Sequence, residues 1–417
     1  MGLPLAALGL AAIAILTLEP NPGQAAASAA TPLLCLVCGN KGGVDVVLNL
    51  LLFAPFGAGL RLAGWRWRSV VAAAALVSFT VEFLQYTVVT GRDASLSDLV
   101  TNTTGAAVAA ALAARWRAFV LPSPRVAAVL FAGWSLLWIA ILSATVWLQG
   151  PRSLRGPIRS GWPDMASSDR GYRGRVLEAR VDGMIMPRQE TPPDRAALRR
   201  SLDRGAATIE VRAISGPPTP DLVFLYYLQV HHTPLLALGQ YGRDAVLVVP
   251  SRAQRLRIWS PTLQLRDAFP PDSGVPVRLR GAIRDGRLTM SVAWSGNVRQ
   301  DGMDLRPTQG WLAVPPMKFV LGRSVRLLTA LWIGALVLPL GWWAAFLPRR
   351  GTALSLLAAV VAAGLLVLPA LTGSPPSHWT EWTAAVAAAV LGWAGSRFAA
   401  YLQGRCASPS INGSSSS

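Results

Sequence analysis

Two stretches of the chain decide the fold: DVVLNLLLFAPFGAG at Asp45–Gly59 and EFLQYTVVTGRDASLSDLVTNTTG at Glu82–Gly105. Both lie in strongly apolar sequence, yet each carries carboxylate and amide side chains. An acid inside a membrane span is unfavourable, so such an acid is usually paired or functional. The two stretches therefore predict membrane helices that carry a polar site.

Six of these polar side chains fall into three pairs at helical spacing. Residues three or four positions apart lie on the same face of a helix. Three helices would therefore each present one carboxylate and one amide on a single face. The pairs are Asp45 with Asn49, Glu82 with Gln85, and Asp98 with Asn102.

The composition of the 417 residues indicates a polytopic membrane protein. Hydrophobic residues make up 52% and charged residues 14%, whereas a soluble chain carries about 25% charged residues. The formal net charge of +18 is compatible with nucleic acid as a partner. Basic residues so close to membrane spans, however, favour anionic lipid as the partner. We therefore expect the lipid bilayer as a partner and no nucleic acid.

Eight apolar runs predict about eight spans, because about 20 apolar residues are needed to cross the hydrocarbon core. For the first run, a retained span is favoured over a signal peptide, because no Lys or Arg precedes it. The runs are Leu3–Leu18, Val44–Leu62, Ser69–Val89, Leu99–Ala114, Val126–Leu148, Val325–Phe346, Ala353–Leu371 and Trp382–Leu402.

The charge of the short loops predicts an orientation. Loops at Arg61–Arg68, Arg115–Arg125 and Arg349–Arg350 are basic, and basic short loops remain in the cytoplasm. The long polar region Gly150–Lys318 is then outside the cytoplasm. The three polar pairs meet at the outer leaflet, where Arg92 is a natural counter-ion for the carboxylates.

The polar region predicts a β-sandwich inserted between the fifth and sixth spans. Short runs alternate between apolar and polar residues, and Asp285-Gly286 between two of them is typical of a hairpin turn. Many short strands at near-regular spacing favour a sandwich. The predicted strands are Ala207–Ala213, Ala245–Val249, Arg255–Trp259, Val277–Ile283 and Arg287–Trp294.

The expected domain organisation follows from these patterns. It comprises a transmembrane bundle at 1–120, a fifth span at 121–149, an extracytoplasmic β-sandwich at 150–318, C-terminal transmembrane helices at 319–403 and a disordered tail at 404–417. The fold class is thus a polytopic α-helical membrane protein with an inserted all-β domain.

The cysteines indicate no metal site. Cys35 and Cys38 form a C-x2-C pair in a loop that the predicted orientation places outside, where disulfides persist. Zinc needs about four ligands, and the sequence contains no second pair. A small local disulfide and two free thiols both remain open, and the sequence names no cofactor.

The spacing of the polar and small residues resembles the VanZ-like family. It reads D-x3-N-x3-F-x-P-x-G from Asp45 to Gly57, then E-x2-Q-x5-G-R from Glu82 to Arg92, then D-x3-N-x2-G from Asp98 to Gly105. The resemblance covers roughly residues 1–120. It implies a bacterial cell-envelope role, linked to low-level resistance to the glycopeptide teicoplanin, more firmly than it implies a reaction.

The order of strands in the polar region resembles a concanavalin A-like, LamG-type jelly roll. Domains of this type often bind glycans, although the fold alone does not establish a function. A structural domain without a ligand is an equal alternative.

Three functions remain open from the sequence. The first is a non-enzymatic protein of the bacterial inner membrane that binds a lipid-linked cell-wall component and alters glycopeptide access. The second is an intramembrane enzyme acting on an envelope lipid or polysaccharide, and the third is a membrane-anchored glycan-binding protein. Against all three stands the interpretation that the polar residues only hydrogen-bond between helices.

Overall fold

The chain folds into two groups of membrane helices and a β-domain that contacts both. The computed structural model describes residues 2–20, 42–89, 95–152, 156–162, 171–188, 190–230, 233–249, 251–314 and 324–407. Within these ranges, six helices are long and apolar enough to span a membrane: Gly42–Leu62, Trp67–Thr87, Pro124–Gln149, Val325–Ala344, Arg350–Thr372 and Trp379–Gln403. The protein is therefore a multi-pass membrane protein.

The expected number of about eight spans is not exact. The first apolar helix has 16 residues, which at 1.5 Å per residue gives about 24 Å, less than the ~30 Å of the hydrocarbon core. The helix Leu96–Ala114 has 19 residues but begins with a run of hydroxyl, carboxylate and amide side chains. Both helices nevertheless pack within the N-terminal bundle.

The N-terminal bundle is built around a small apolar core. Phe53, Val81 and Ala106, from three different helices, are almost completely buried in it. Many other apolar side chains of these helices remain exposed, as expected of surfaces that face lipid. The helices are α1 (Gly2–Thr17), α2 (Gly42–Leu62), α3 (Trp67–Thr87), α4 (Leu96–Ala114) and the short α5 (Trp116–Val120).

The second group of helices packs around the fully buried Trp138. Its indole N–H donates to the Val360 carbonyl at 3.2 Å, just before a π-helical turn at Ala363–Val367. Pro369 follows that turn and has no N–H for the helical ladder. The helices are α6 (Pro124–Gln149), α8 (Ser324–Ala344), α9 (Arg350–Ala362), α10 (Leu368–Thr372) and α11 (Trp379–Ala407).

The β-domain lies between α6 and α8 in the chain and consists of two antiparallel sheets. One sheet has the order β1-β5-β6-β7-β8 and the other the order β11-β10-β9-β4-β2-β3. A nine-residue helix, α7 (Arg195–Asp203), accompanies them. The strands are β1 (Arg159–Gly161), β2 (Arg175–Val181), β3 (Met184–Ile185), β4 (Ala207–Ile214), β5 (Thr219–Val230), β6 (Thr233–Gly242), β7 (Asp244–Val248), β8 (Thr262–Leu265), β9 (Pro276–Arg284), β10 (Arg287–Trp294) and β11 (Asn297–Asp304).

The β-sandwich core follows from strict alternation in the strands. Along β9, the apolar side chains Val277, Leu279 and Ile283 are buried, and the arginines between them are exposed. Side chains two apart lie on the same face of a strand. The turn between β9 and β10 places Asp285 at φ 50° and Gly286 at φ 69°, as a type I′ hairpin turn requires.

The structure contradicts one predicted strand. Arg255–Trp259 is not extended, because a 3-10 helix covers Arg252–Leu256 and Arg257 ends it in the left-handed region at φ 53°. The sequence interpretation also omitted the long strand β5 and strand β11. The predicted tail lies outside the described residues from position 408 onward, and α11 continues to Ala407.

The β-domain contacts the same end of both helix groups. Near the start of α2, Gly43 approaches the Leu256 carbonyl so closely that a side chain at this position would overlap it. In the other group, the Trp311 indole donates to Thr329 Oγ1 of α8 at 3.0 Å. The first turns of α2 therefore lie beside the β-domain.

Candidate functional site

Helices α2 and α4 form the centre of the candidate site. Asn49 Nδ2 donates to Asp98 Oδ1 at 2.7 Å. Deeper in the same interface, a methyl group on Gly57 would overlap the Ala106 carbonyl, and one on Gly105 would overlap the Leu50 carbonyl. Small residues let helices approach closely in membranes, and here that approach brings the amide of α2 to the carboxylate of α4.

A second interhelical hydrogen bond connects α4 to α3. Asn102 Nδ2 donates to Ser78 Oγ at 3.0 Å, and both residues are buried. The Asn102 Oδ1 atom is buried without a hydrogen-bond partner among the described residues. An unpaired buried acceptor is unfavourable. Among the described residues, the Asn102 Oδ1 atom is thus an acceptor that the packing of the bundle leaves unused.

The polar pair of α3, Glu82 and Gln85, forms hydrogen bonds to residues outside this helix. Glu82 Oε2 accepts a hydrogen bond from the Ser95 backbone N–H at 2.7 Å. Gln85 Nε2 donates to the carbonyl of Thr17, the last residue of α1, at 2.9 Å. Glu82 thus stabilises the start of α4, and Gln85 connects α3 to the end of α1 by a hydrogen bond.

Helix ends stabilise the three carboxylates. Asp45 lies in the first turn of α2, and Asp98 lies in the first turn of α4. The N-terminus of a helix carries partial positive charge and favours an anion. Glu82 binds the N–H of Ser95, the N-cap residue of α4, so it receives the same benefit.

Two of the carboxylates also interact with each other. Glu82 and Asp98 are near enough for their charges to repel, and both side chains are only partly buried. A hydrogen-bond donor or a cationic group placed between two such carboxylates relieves the repulsion. The arrangement can therefore bind an amine or several hydroxyl groups.

The polar groups lie at the end of the bundle that faces the β-domain. Asp45 is exposed, one residue after Val44, which packs against Ala253 and Ile258 of the β-domain. Asn102 lies four residues further along α4 than Asp98, about 6 Å deeper at the helical rise. The site thus runs from the bundle end into the interior between α3 and α4.

The structure brings most of the predicted site residues together. Asn49 and Asp98 bond directly, Asn102 binds α3, and Glu82 and Gln85 lie within one turn of each other. Asp45 occupies the same end of α2, one turn before Asn49. Arg92 and the pair Cys35 and Cys38 lie outside the described residues.

Sequence reasoning missed three partners. Ser78 binds Asn102, Ser95 supplies an N–H to Glu82, and Thr17 supplies a carbonyl to Gln85. Ser78 could have been found, because it lies four residues before Glu82 and thus shares its helical face. The other two act through backbone atoms, which the side-chain pattern does not reveal.

A protein-family model matches the N-terminal part of the chain. Residues 10–117 match the family model described as VanZ/LLP1. This range contains the second half of α1 and all of α2, α3 and α4, and hence every described residue of the candidate site. No curated protein and no solved structure matches the chain.

Proposed function

We propose that the N-terminal bundle binds the headgroup of a lipid-linked cell-envelope component at the end that faces the β-domain. In this proposal, the protein lies in the bacterial inner membrane. The β-domain lies outside the cytoplasm, as the basic short loops indicate. Binding there alters the access of glycopeptides such as teicoplanin to the cell wall.

The observation that carries the proposal is the partly exposed Glu82–Asp98 pair. Glu82 Oε2 accepts a hydrogen bond from the Ser95 N–H, and Asp98 Oδ1 accepts one from Asn49 Nδ2. A carboxylate accepts about four hydrogen bonds in all. Glu82 therefore keeps acceptor capacity for the hydroxyl or amine groups of a sugar-bearing headgroup, and the partly exposed Asp98 belongs to the same end of the bundle.

The rival interpretation is that these contacts only hold the bundle together. Asn49, Gln85 and Asn102 do bond between helices, and polar side chains in membrane bundles commonly do no more than that. The amides fit this structural interpretation fully. The carboxylates fit it less well, because both side chains remain partly exposed at the end of the bundle.

Substitution of the two carboxylates tests the proposal. Glu82→Gln and Asp98→Asn keep size and lose charge. Each should lower glycopeptide tolerance in a bacterial host, and each should reduce the envelope lipid that copurifies with the protein about tenfold or more, since a hydrogen bond to a charged group contributes about 1.5–3 kcal/mol. Mass spectrometry of the gently purified protein measures the bound lipid.

Two controls separate binding from folding. Asp221→Asn removes one exposed carboxylate from the β-domain and should change neither tolerance nor bound lipid. Asn102→Ala removes the bond to Ser78 and should reduce folded protein in the membrane. Wild-type tolerance and wild-type lipid content in both Glu82→Gln and Asp98→Asn, at normal abundance, would refute the proposal.

A further inference from the structure

A basic cleft that the site of the N-terminal bundle does not use lies at the end of α6. The cleft is open, has a volume of about 480 Å³, and is lined by Trp147, Pro151, Asp203, Arg252 and Arg255. Trp147 belongs to the last turn of α6. The cleft therefore begins at the level where lipid headgroups meet the protein.

Two arginines of the β-domain line this cleft, and a third arginine, from a distant part of the chain, lies beside them. Arg252 and Arg255 belong to the 3-10 helix of the β-domain, and Arg152 follows α6. The Arg252 backbone N–H donates to the Gly150 carbonyl at 3.0 Å, and Arg152 Nη1 donates to Gln254 Oε1 at 3.3 Å. These bonds hold the arginines in place on a folded scaffold.

Among the described residues, the positive charge of the cleft exceeds the negative charge. Within the described ranges, none of the three arginines forms an ion pair with a carboxylate. Asp203 lines the cleft as the single acid against them. Burial lowers the pKa of Arg152 from its ordinary value, and the neighbouring Arg255 charge adds to this effect, as expected where a counter-ion is missing.

Apolar groups flank the charges. The Arg252 guanidinium lies over the Trp147 ring at 5.7 Å from its centroid, and the indole itself is 43% exposed. On the same 3-10 helix, Leu256 is 51% exposed. An exposed indole and an exposed leucine next to arginines are typical of a surface that enters the headgroup region.

We propose that this cleft binds the phosphate of an anionic phospholipid in the leaflet adjacent to the β-domain. Arg252 and Arg255 bind the phosphate oxygens, Arg152 adds positive charge beside them, and Trp147 and Leu256 contact the upper part of the acyl chains. A lipid fits better than a free anion, because the cleft opens at a span end and carries both charged and apolar groups. This inference does not depend on the function proposed for the N-terminal bundle.

The experiment compares lipids on the purified full chain by native mass spectrometry. In mixed detergent micelles that contain phosphatidylglycerol and phosphatidylcholine, we expect preferential retention of phosphatidylglycerol. Arg152→Gln/Arg252→Gln/Arg255→Gln should weaken this retention on the order of 100-fold, because each basic residue near an anionic surface contributes about a factor of five. The corresponding triple lysine variant keeps the charge and should keep most of the preference.

A matched variant controls for overall charge. Arg175→Gln/Arg278→Gln/Arg299→Gln removes three exposed arginines from the strands, toward the end opposite the Asp285-Gly286 turn, and should retain phosphatidylglycerol as the wild type does. Equal retention of the two lipids by the wild type would overturn the proposal, whether or not the glutamine variant folds. Displacement of phosphatidylglycerol by inorganic phosphate alone would assign the cleft to a free anion instead and would also overturn it.

Discussion

At the residue scale, glycines decide how closely the helices of the N-terminal bundle approach. A methyl group on Gly57 or Gly105 would overlap backbone carbonyls of the facing helix. The hydrogen bond between Asn49 and Asp98 lies in the same interface and depends on that approach. Two glycines of the D-x3-N-x3-F-x-P-x-G and D-x3-N-x2-G patterns therefore have a structural role that supports the polar residues beside them.

The substitution Gly57→Ala should destabilise the bundle. Since the facing group is backbone and cannot move aside cheaply, the expected loss is about 1–3 kcal/mol. Gly133→Ala in α6 is the matched control, because no atom lies within 4 Å of the added methyl and alanine favours a helix. Thermal unfolding in detergent, followed by tryptophan fluorescence, should show a lower Tm for Gly57→Ala alone; equal Tm values would contradict the close-packing argument.

At the scale of elements, two indole N–H groups of α8 bind the end of the short helix α5. Trp342 and Trp343 of α8 donate to the carbonyls of Val120 and Phe119 at 2.9 Å and 2.8 Å. These carbonyls end the short helix α5 and have no partner within it. The chain between the two bundles is therefore held against α8 by two hydrogen bonds to a helix end.

The double variant Trp342→Phe/Trp343→Phe should loosen this connection. It keeps two aromatic rings but leaves two partly buried carbonyls unpaired, at a cost of about 1–3 kcal/mol each. Hydrogen exchange at residues 116–121 should become faster than in the wild type. Trp67→Phe, at a 45% exposed position, should leave it unchanged, and the same exchange rate in all three proteins would refute the role of the indoles.

At the scale of the whole molecule, an ion-pair chain connects the β-domain to the last membrane helix. Arg306 Nη2 binds Asp304 at 2.7 Å, and its Nη1 lies 3.4 Å from Glu381 Oε1. Glu381 is 2% exposed and lies in the first turn of α11, where its other oxygen accepts the His378 N–H at 3.2 Å. Arg306 is thus the cationic partner of a buried acid at the junction.

The variant Arg306→Gln should weaken the junction strongly. A buried charge that loses its partner costs about 3–5 kcal/mol. The double variant Arg306→Gln/Glu381→Gln removes both charges and should recover most of the lost stability. Limited proteolysis of the purified protein should cut near residues 305–315 faster only in the single variant; if the double variant were cut as fast as the single one, charge pairing would not be what holds the junction.

The sequence by itself determined the elements. Apolar runs predicted the helices, alternation predicted β4, β7, β9 and β10, and Asp285-Gly286 predicted the hairpin between the last two, because each of these depends on residues close together in the chain. The spacing of Asp45, Asn49, Asp98 and Asn102 also predicted shared helical faces. The family prediction is confirmed over residues 10–117.

Only the tertiary structure decided which groups meet. Asn49 binds Asp98 because α2 and α4 pack through glycines 48 positions apart, Gly57 and Gly105, and no local pattern specifies that pairing. The same holds for Trp147 and Arg252, which lie about one hundred positions apart and line one cleft. Local spacing places side chains on a face, but the packing of distant elements decides what that face contacts.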